Sequence, residues 1–196
     1  MNYINLPSYV RDFLITHDNL SELVPVVNGH SGLFYPTTKF ITSAGFDWFN
    51  QHGIELRPNC LLFRARCNTE GPAHIDGTSL DLESQPIPHV CAFNFVLEGH
   101  GEMQWVEVDE YTTNGDFKHN VPGTTTRAAV QIVKQVPGSK ITVLDTWTGD
   151  TGFVRIETFH RIVTTDVDRV CLSVRACFPL PFEEAAKQVR EIFQLK

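Results

Sequence analysis

Two regimes of apolar spacing divide the chain. Over residues 6–16, Tyr9, Val10, Phe13 and Leu14 recur at helical intervals. Residues 43–53 repeat the theme, with Ser43 as N-cap, Phe46 and Phe49 on one face and Gly53 as the stop. Residues 29–38, between them, read as turns. From Cys60 the period shortens, and the runs 60–67, 89–97, 102–108, 126–136, 140–146, 153–159 and 169–178 read as strands. Glycine- and proline-rich turns separate them, and no helix intervenes. Most gaps are shorter than the dozen or so residues a parallel crossover needs, so the pattern predicts an antiparallel sandwich or barrel. Residues 181–195 return to a helical pattern. Pro181 starts it, Glu183 and Glu184 fill the first turn, Lys187 and Arg190 follow, and Val189, Ile192 and Phe193 form the apolar stripe. The expected organisation is one domain over 1–196: a helical elaboration over 1–58, a β core over 59–180 and a C-terminal helix over 181–196.

Composition narrows the class. At 196 residues and 42% hydrophobic, the chain has enough apolar surface for a core. No run approaches the ~20 apolar residues of a membrane span, and Met1 to Pro7 lacks the form of a secretory signal. The formal charge of −7 is opposite to that expected of a nucleic-acid backbone binder. The five cysteines (Cys60, Cys67, Cys91, Cys171, Cys177) include no C-x-x-C pair and lie in or beside apolar runs. They read as buried free thiols in a reducing, cytoplasmic protein.

Of the eight histidines, His17, His30, His52 and His119 read as surface residues, and His89 and His100 flank a strand. His74 differs. It lies in Gly71-Pro72-Ala73-His74-Ile75-Asp76-Gly77, and residues two apart on an extended chain point the same way. An imidazole and a carboxylate would then face one metal, and a second imidazole would complete a facial triad with open positions. His160, at the end of the run 153–159, is the candidate. Arg169 lies nine positions beyond His160 and Arg175 six beyond that. Arg169, Cys171, Ser173 and Arg175 alternate with Val170, Leu172 and Val174, so one face of that strand is apolar and the other carries two guanidinium groups. An arginine inside a sandwich is costly unless it meets an anion; the bland alternative is a half-exposed strand with its arginines in water.

His-x-Asp, a distal His at a strand end and an Arg on the next strand resemble the Fe(II)/2-oxoglutarate-dependent oxygenases of the double-stranded β-helix fold, over residues 60–178. The run Cys91-Ala-Phe-Asn-Phe-Val-Leu-Glu98 followed by Trp105 is similar to the aspartyl/asparaginyl β-hydroxylase-like branch. The resemblance implies a mainly β, jelly-roll or cupin-like core. It implies Fe(II) on His74, Asp76 and His160, and 2-oxoglutarate held by Arg169, Arg175, Ser173 and Asn94, with either arginine as the main anchor. Ascorbate enters as an auxiliary reductant. The implied activity is hydroxylation of a small molecule or of a peptide or protein side chain, coupled to decarboxylation of 2-oxoglutarate to succinate. Residues 78–88 and 111–125 read as polar substrate lids. Two other classes share parts of the pattern. A cupin-like metalloprotein of another class needs the histidines but not Arg169, and a non-enzymatic β-sandwich binding or structural module needs neither. Nothing in the sequence sets the oligomeric state.

Overall fold

The alternation across Arg169–Cys177 organises the molecule, here a computed structural model that describes residues 1–25, 29–76, 79–80, 86–87, 91–120, 127–136, 138–178 and 180–196. In chain order the elements are β1 Tyr3–Asn5, a 3-10 turn Ser8–Phe13, α1 Leu20–Leu23, β2 His30–Pro36, a 3-10 turn Thr37–Lys39, α2 Ser43–Gln51 and β3 Glu55–Ala65. There follow β4 Ser79–Leu80, β5 Pro86–Ile87, β6 Cys91–Glu98, β7 Glu102–Val108, β8 Tyr111–Asn120 and β9 Arg127–Gln135. The chain ends with β10 Ile141–Trp147, β11 Thr151–Arg155, β12 His160–Val163, β13 Arg169–Cys177 and α3 Phe182–Ile192.

The major sheet is antiparallel in the order β1-β11-β6-β13-β3-β2, and a second sheet runs β10-β7-β12. Bridges Glu70↔Val163 and His74↔His160 add the segment 70–76 to the free side of β12. The chain crosses between these two facing sheets from β3 to segment 70–76, β6 to β7, β10 to β11, β11 to β12 and β12 to β13, while β4, β5, β8 and β9 form a separate four-stranded sheet in the order β5-β4-β9-β8. This mainly β architecture is a double-stranded β-helix, as the sequence implied.

Two apolar layers follow from the strand alternation. Val170, Leu172 and Val174 pack outward with Phe93, Phe95, Phe153 and Leu62 against α2, α3 and the N-terminal segments. Ala65, Ala92, Val96 and Val154 point inward against Met103, Trp105, Trp147 and Ile162 of the second sheet. Each buried side chain of this size contributes about 1.5–3 kcal/mol. The polar face of β13 points into the same interior, because cross-strand partners share a face: Arg169 pairs with Ala65, Ser173 with Asn94 and Arg175 with Ala92.

Several sequence expectations are corrected. Residues 29–38 form β2, an edge strand on β3, despite their turn-like composition. Residues 1–58 therefore hold strands as well as helices. Ser8–Phe13 is a 3-10 turn, not an α-helix, and the N-cap of α2 is Thr42, whose hydroxyl accepts from Gly45 N–H. The run 153–159 ends as a strand at Arg155, and His160 opens β12 in the other sheet. Tyr111–Asn120 is a strand pairing β9, not a loop. Within 78–88 the short strands β4 and β5 are seen. Residues 78, 81–85, 88 and 121–126, and with them much of both expected lids, lie outside the described residues, as does His89.

Candidate metal centre

His74 and His160 exchange backbone hydrogen bonds, each N–H donating to the other's carbonyl at 2.9 Å. Such a pair puts both side chains on one face of the ladder, and the imidazole centroids stand 4.5 Å apart. Two residues on, Asp76 N–H donates to the Ile156 carbonyl at 3.1 Å, which fixes the carboxylate beside the rings. One ligand atom from each of His74, Asp76 and His160 lies within 4.8 Å of the others.

The ring orientations match this use. His74 Nδ1 lies 2.9 Å from the Pro72 carbonyl and His160 Nδ1 2.9 Å from the Thr158 carbonyl. A carbonyl only accepts, so both Nδ1 atoms carry the hydrogen and both Nε2 atoms present lone pairs, the outer-shell arrangement of metal-binding histidines. The two Nε2 atoms face Asp76, at 3.6 Å from Oδ1 and 4.0 Å from Oδ2. Burial pushes His160 down to about 4, with His74 and Arg175 adding to the effect and Asp76 opposing it. The ring is neutral at neutral pH, as a ligand must be. Burial alone would raise the Asp76 carboxyl, but the charge of Arg175, with the two histidines, holds it below the usual carboxylate range.

The two arginines part company. Arg175 Nη2 donates to Asp76 Oδ2 at 2.6 Å, so it orients the carboxylate, while its Nη1 is buried without a partner among the described residues. Arg169 is 0% exposed, and none of its three guanidinium nitrogens has a hydrogen-bond partner among the described residues. The Phe63 ring faces it, with its centroid 5.4 Å from the guanidinium carbon, and the Cys171 thiol interacts with its charge. A buried cation with every donor unmet marks a place for an anion. Between the arginines along β13 lie Cys171, whose thiol burial pushes up against the charge of Arg169, and buried Ser173. Asn94, opposite Ser173, donates to Met103 Sδ at 3.7 Å, and its Oδ1 has no partner among the described residues.

The sequence reading missed one polar group. His30, taken as a surface residue, lies in the same cross-strand row as Ala65 and Arg169, and its Nε2 is buried without a partner. Only its place on β2 could have signalled this, and β2 itself was read as turn. His17 and His52 are also not free surface residues, since each ring engages a backbone carbonyl, of Lys39 and Trp48 respectively. The side chain of His119 is outside the described set. His100 pairs with Asp166 at the surface. Among the cysteines, Cys67 is exposed and Cys177 half-buried, against the expectation that all five are buried.

Fold and site together define a double-stranded β-helix protein carrying a two-histidine, one-carboxylate cluster, with a buried arginine on the same strand as the arginine that holds the carboxylate. No protein-family model and no curated protein matches the sequence. Among solved structures, an oxidoreductase of the 2OG-Fe(II) oxygenase family from Burkholderia pseudomallei is similar at 11% identity, TM-score 0.39, over 90% of this chain and 84% of that one. HygX from Streptomyces hygroscopicus, solved with nickel, 2-oxoglutarate and hygromycin B bound, is similar at 13% identity, TM-score 0.31, over 91% and 84%. Vicilin from hazelnut, Corylus avellana, is similar at 6% identity, TM-score 0.32, over 76% of this chain; the match spans 30% of the vicilin chain. The functional reading rests on the side chains of the site rather than on these likenesses.

Proposed function

We propose that the protein is a non-haem Fe(II)- and 2-oxoglutarate-dependent dioxygenase that hydroxylates a small molecule or a peptide side chain. The observation that carries this reading is Arg169. It is fully buried, has no hydrogen-bond partner for any guanidinium nitrogen among the described residues, and lies on the strand whose other arginine holds the Asp76 carboxylate. The donor set fits the metal: two imidazoles and one carboxylate are borderline ligands suited to Fe(II) and leave positions open. His74, Asp76 and His160 would hold the metal, and Arg169 would meet the distal carboxylate of 2-oxoglutarate through a bidentate pair. Ser173 and Asn94 line the slot between these ends. When bound, metal and cosubstrate supply the oxidising power for hydroxylation, with ascorbate as an external reductant.

The chain's own work is positional. Arg175 keeps Asp76 ionised and turned toward the two Nε2 atoms. The Pro72 and Thr158 carbonyls lock the ring tautomers. Met103, Trp105 and Ile162 of the second sheet form an apolar cluster with Ala92 and Val96 of the major sheet. No protein acid–base pair is required. A cupin-type metalloprotein without a cosubstrate has no use for a buried, unpaired Arg169, and this favours the oxygenase reading. No helix among the described residues is long and apolar enough to cross a membrane, and the five free cysteines support our placing the protein in the reducing cytoplasm.

Anaerobic Fe(II) titration followed by 2-oxoglutarate, read by visible absorption, tests the proposal. The expected result is a charge-transfer band that needs both components and is lost in His74→Ala and His160→Ala. No band in the wild-type protein, or an undiminished band in both variants, overturns it.

A further inference from the structure

The turn between β6 and β7 packs against Arg169. A Cβ built on Gly101 would stand 2.9 Å from Arg169 Cδ, 2.8 Å from the Val163 carbonyl oxygen and 3.2 Å from Thr164 Cγ2. The Val163 side of that contact is fixed. Val163 pairs with Glu102 on one flank and bridges Glu70 on the other, and Thr164 N–H donates to the Thr69 carbonyl at 2.9 Å. An added methyl group therefore cannot be seated against the Val163 carbonyl without a shift of the turn itself, and that shift presses on the aliphatic stem of Arg169. On the guanidinium itself lies the Phe63 ring.

The turn is seated on the residues that lead into Arg169. Gly99 has φ +66°, and its Cβ would fall 1.8 Å from the Asp168 carbonyl oxygen, so no other residue fits there without backbone movement. His100 Nε2 lies 2.9 Å from Asp166 Oδ1. Turn and arginine thus share one frame.

We infer that Gly101 is a positioning residue for the anion site: the space left by its missing side chain, with the Phe63 ring, sets the place of the Arg169 guanidinium that would meet the distal carboxylate. The inference rests on the proposed function and deepens it. Its test is anaerobic calorimetry of the Mn(II)-loaded full chain with 2-oxoglutarate and with 2-oxobutyrate, which has the metal-chelating end but no distal carboxylate. In Gly101→Ala, 2-oxoglutarate binding weakens by about tenfold or more, the scale of one charge-assisted hydrogen bond. Binding of 2-oxobutyrate and of Mn(II) is unchanged. Phe63→Leu, which leaves the turn intact, shows the same selective loss at smaller amplitude.

Wild-type affinity for 2-oxoglutarate in both variants overturns the inference and leaves the proposed function standing. Equal loss of both oxo acids also overturns it, because the turn would then act on the metal end or the fold. Absence of 2-oxoglutarate binding in the wild-type protein overturns the proposed function, and the inference with it.

Discussion

Replacing Arg169 by methionine separates stability from function in opposite directions. The guanidinium is fully buried, with three donor nitrogens unmet. An unsatisfied buried donor costs about 1–3 kcal/mol, and the Phe63 contact returns about 0.5–2 kcal/mol. Methionine matches the stem in shape, fills the space and brings no charge, so the metal-free variant should gain about 2 kcal/mol. For a chain of this length that is a rise of roughly 4–8 °C in Tm. The same change removes the anion's partner, and loss of a charged hydrogen bond worth about 1.5–3 kcal/mol weakens 2-oxoglutarate binding by at least about tenfold. Urea unfolding and thermal melts of the metal-free proteins measure the first effect; calorimetry with Mn(II) measures the second. A variant that is destabilised by 1 kcal/mol or more, or that binds 2-oxoglutarate as tightly as wild type, refutes the reasoning.

Other consequences follow from the same geometry. Arg175→Met leaves Asp76 as an uncompensated buried charge, so the metal-free protein should lose about 3–5 kcal/mol, and Mn(II) should restore much of it; unchanged stability without metal contradicts the pair at 2.6 Å. His160 takes up a proton near 6.5 when unfolded and at about 4 when folded. The unfolded chain therefore binds more protons between those values. Stability present above pH 6.5 is lost as pH falls toward 4, by ~3 kcal/mol for this group. Urea midpoints of the metal-free protein at pH 7, 5.5 and 4.5 should fall, with a shallower slope in His160→Asn; equal slopes refute the assignment. In a native thiol-exchange assay Cys67 should react first, since it is exposed whereas burial pushes Cys60 up to about 12. A fast phase that survives Cys67→Ser counts against this.

What the sequence disclosed is the part written in local alternation. β13 reads directly: its apolar face is the outer layer and its polar face the site. β7 appears with the bounds its pattern predicts. The grouping of His74, Asp76 and His160 was legible because a His-x-Asp on an extended segment and a histidine at a strand end follow one another in linear order. Crossings between sheets were not legible. The run from Phe153 to Phe159 keeps an apolar rhythm although the chain leaves the major sheet after Arg155, so His160 was placed on the wrong strand. β2 was hidden because Gly29, Gly32 and Pro36 carry turn propensity, which pairing along β3 overrides. The partner of Arg175 was equally hidden. Asp76 and Arg175 meet only because the bridge from His74 to β12 brings segment 70–76 over the polar face of β13. Cys67 is exposed because the chain turns there, with Asn68 at φ 55°, and a run of residue types does not show where a strand stops.

The central claim is that a metal cluster and a buried arginine form one cosubstrate site. Calorimetric titration of 2-oxoglutarate into the anaerobic protein, with and without Mn(II), tests it most directly. The account predicts binding near one-to-one that requires Mn(II) and is lost in Asp76→Ala. Absence of binding with Mn(II) present, or binding indifferent to the metal, contradicts it.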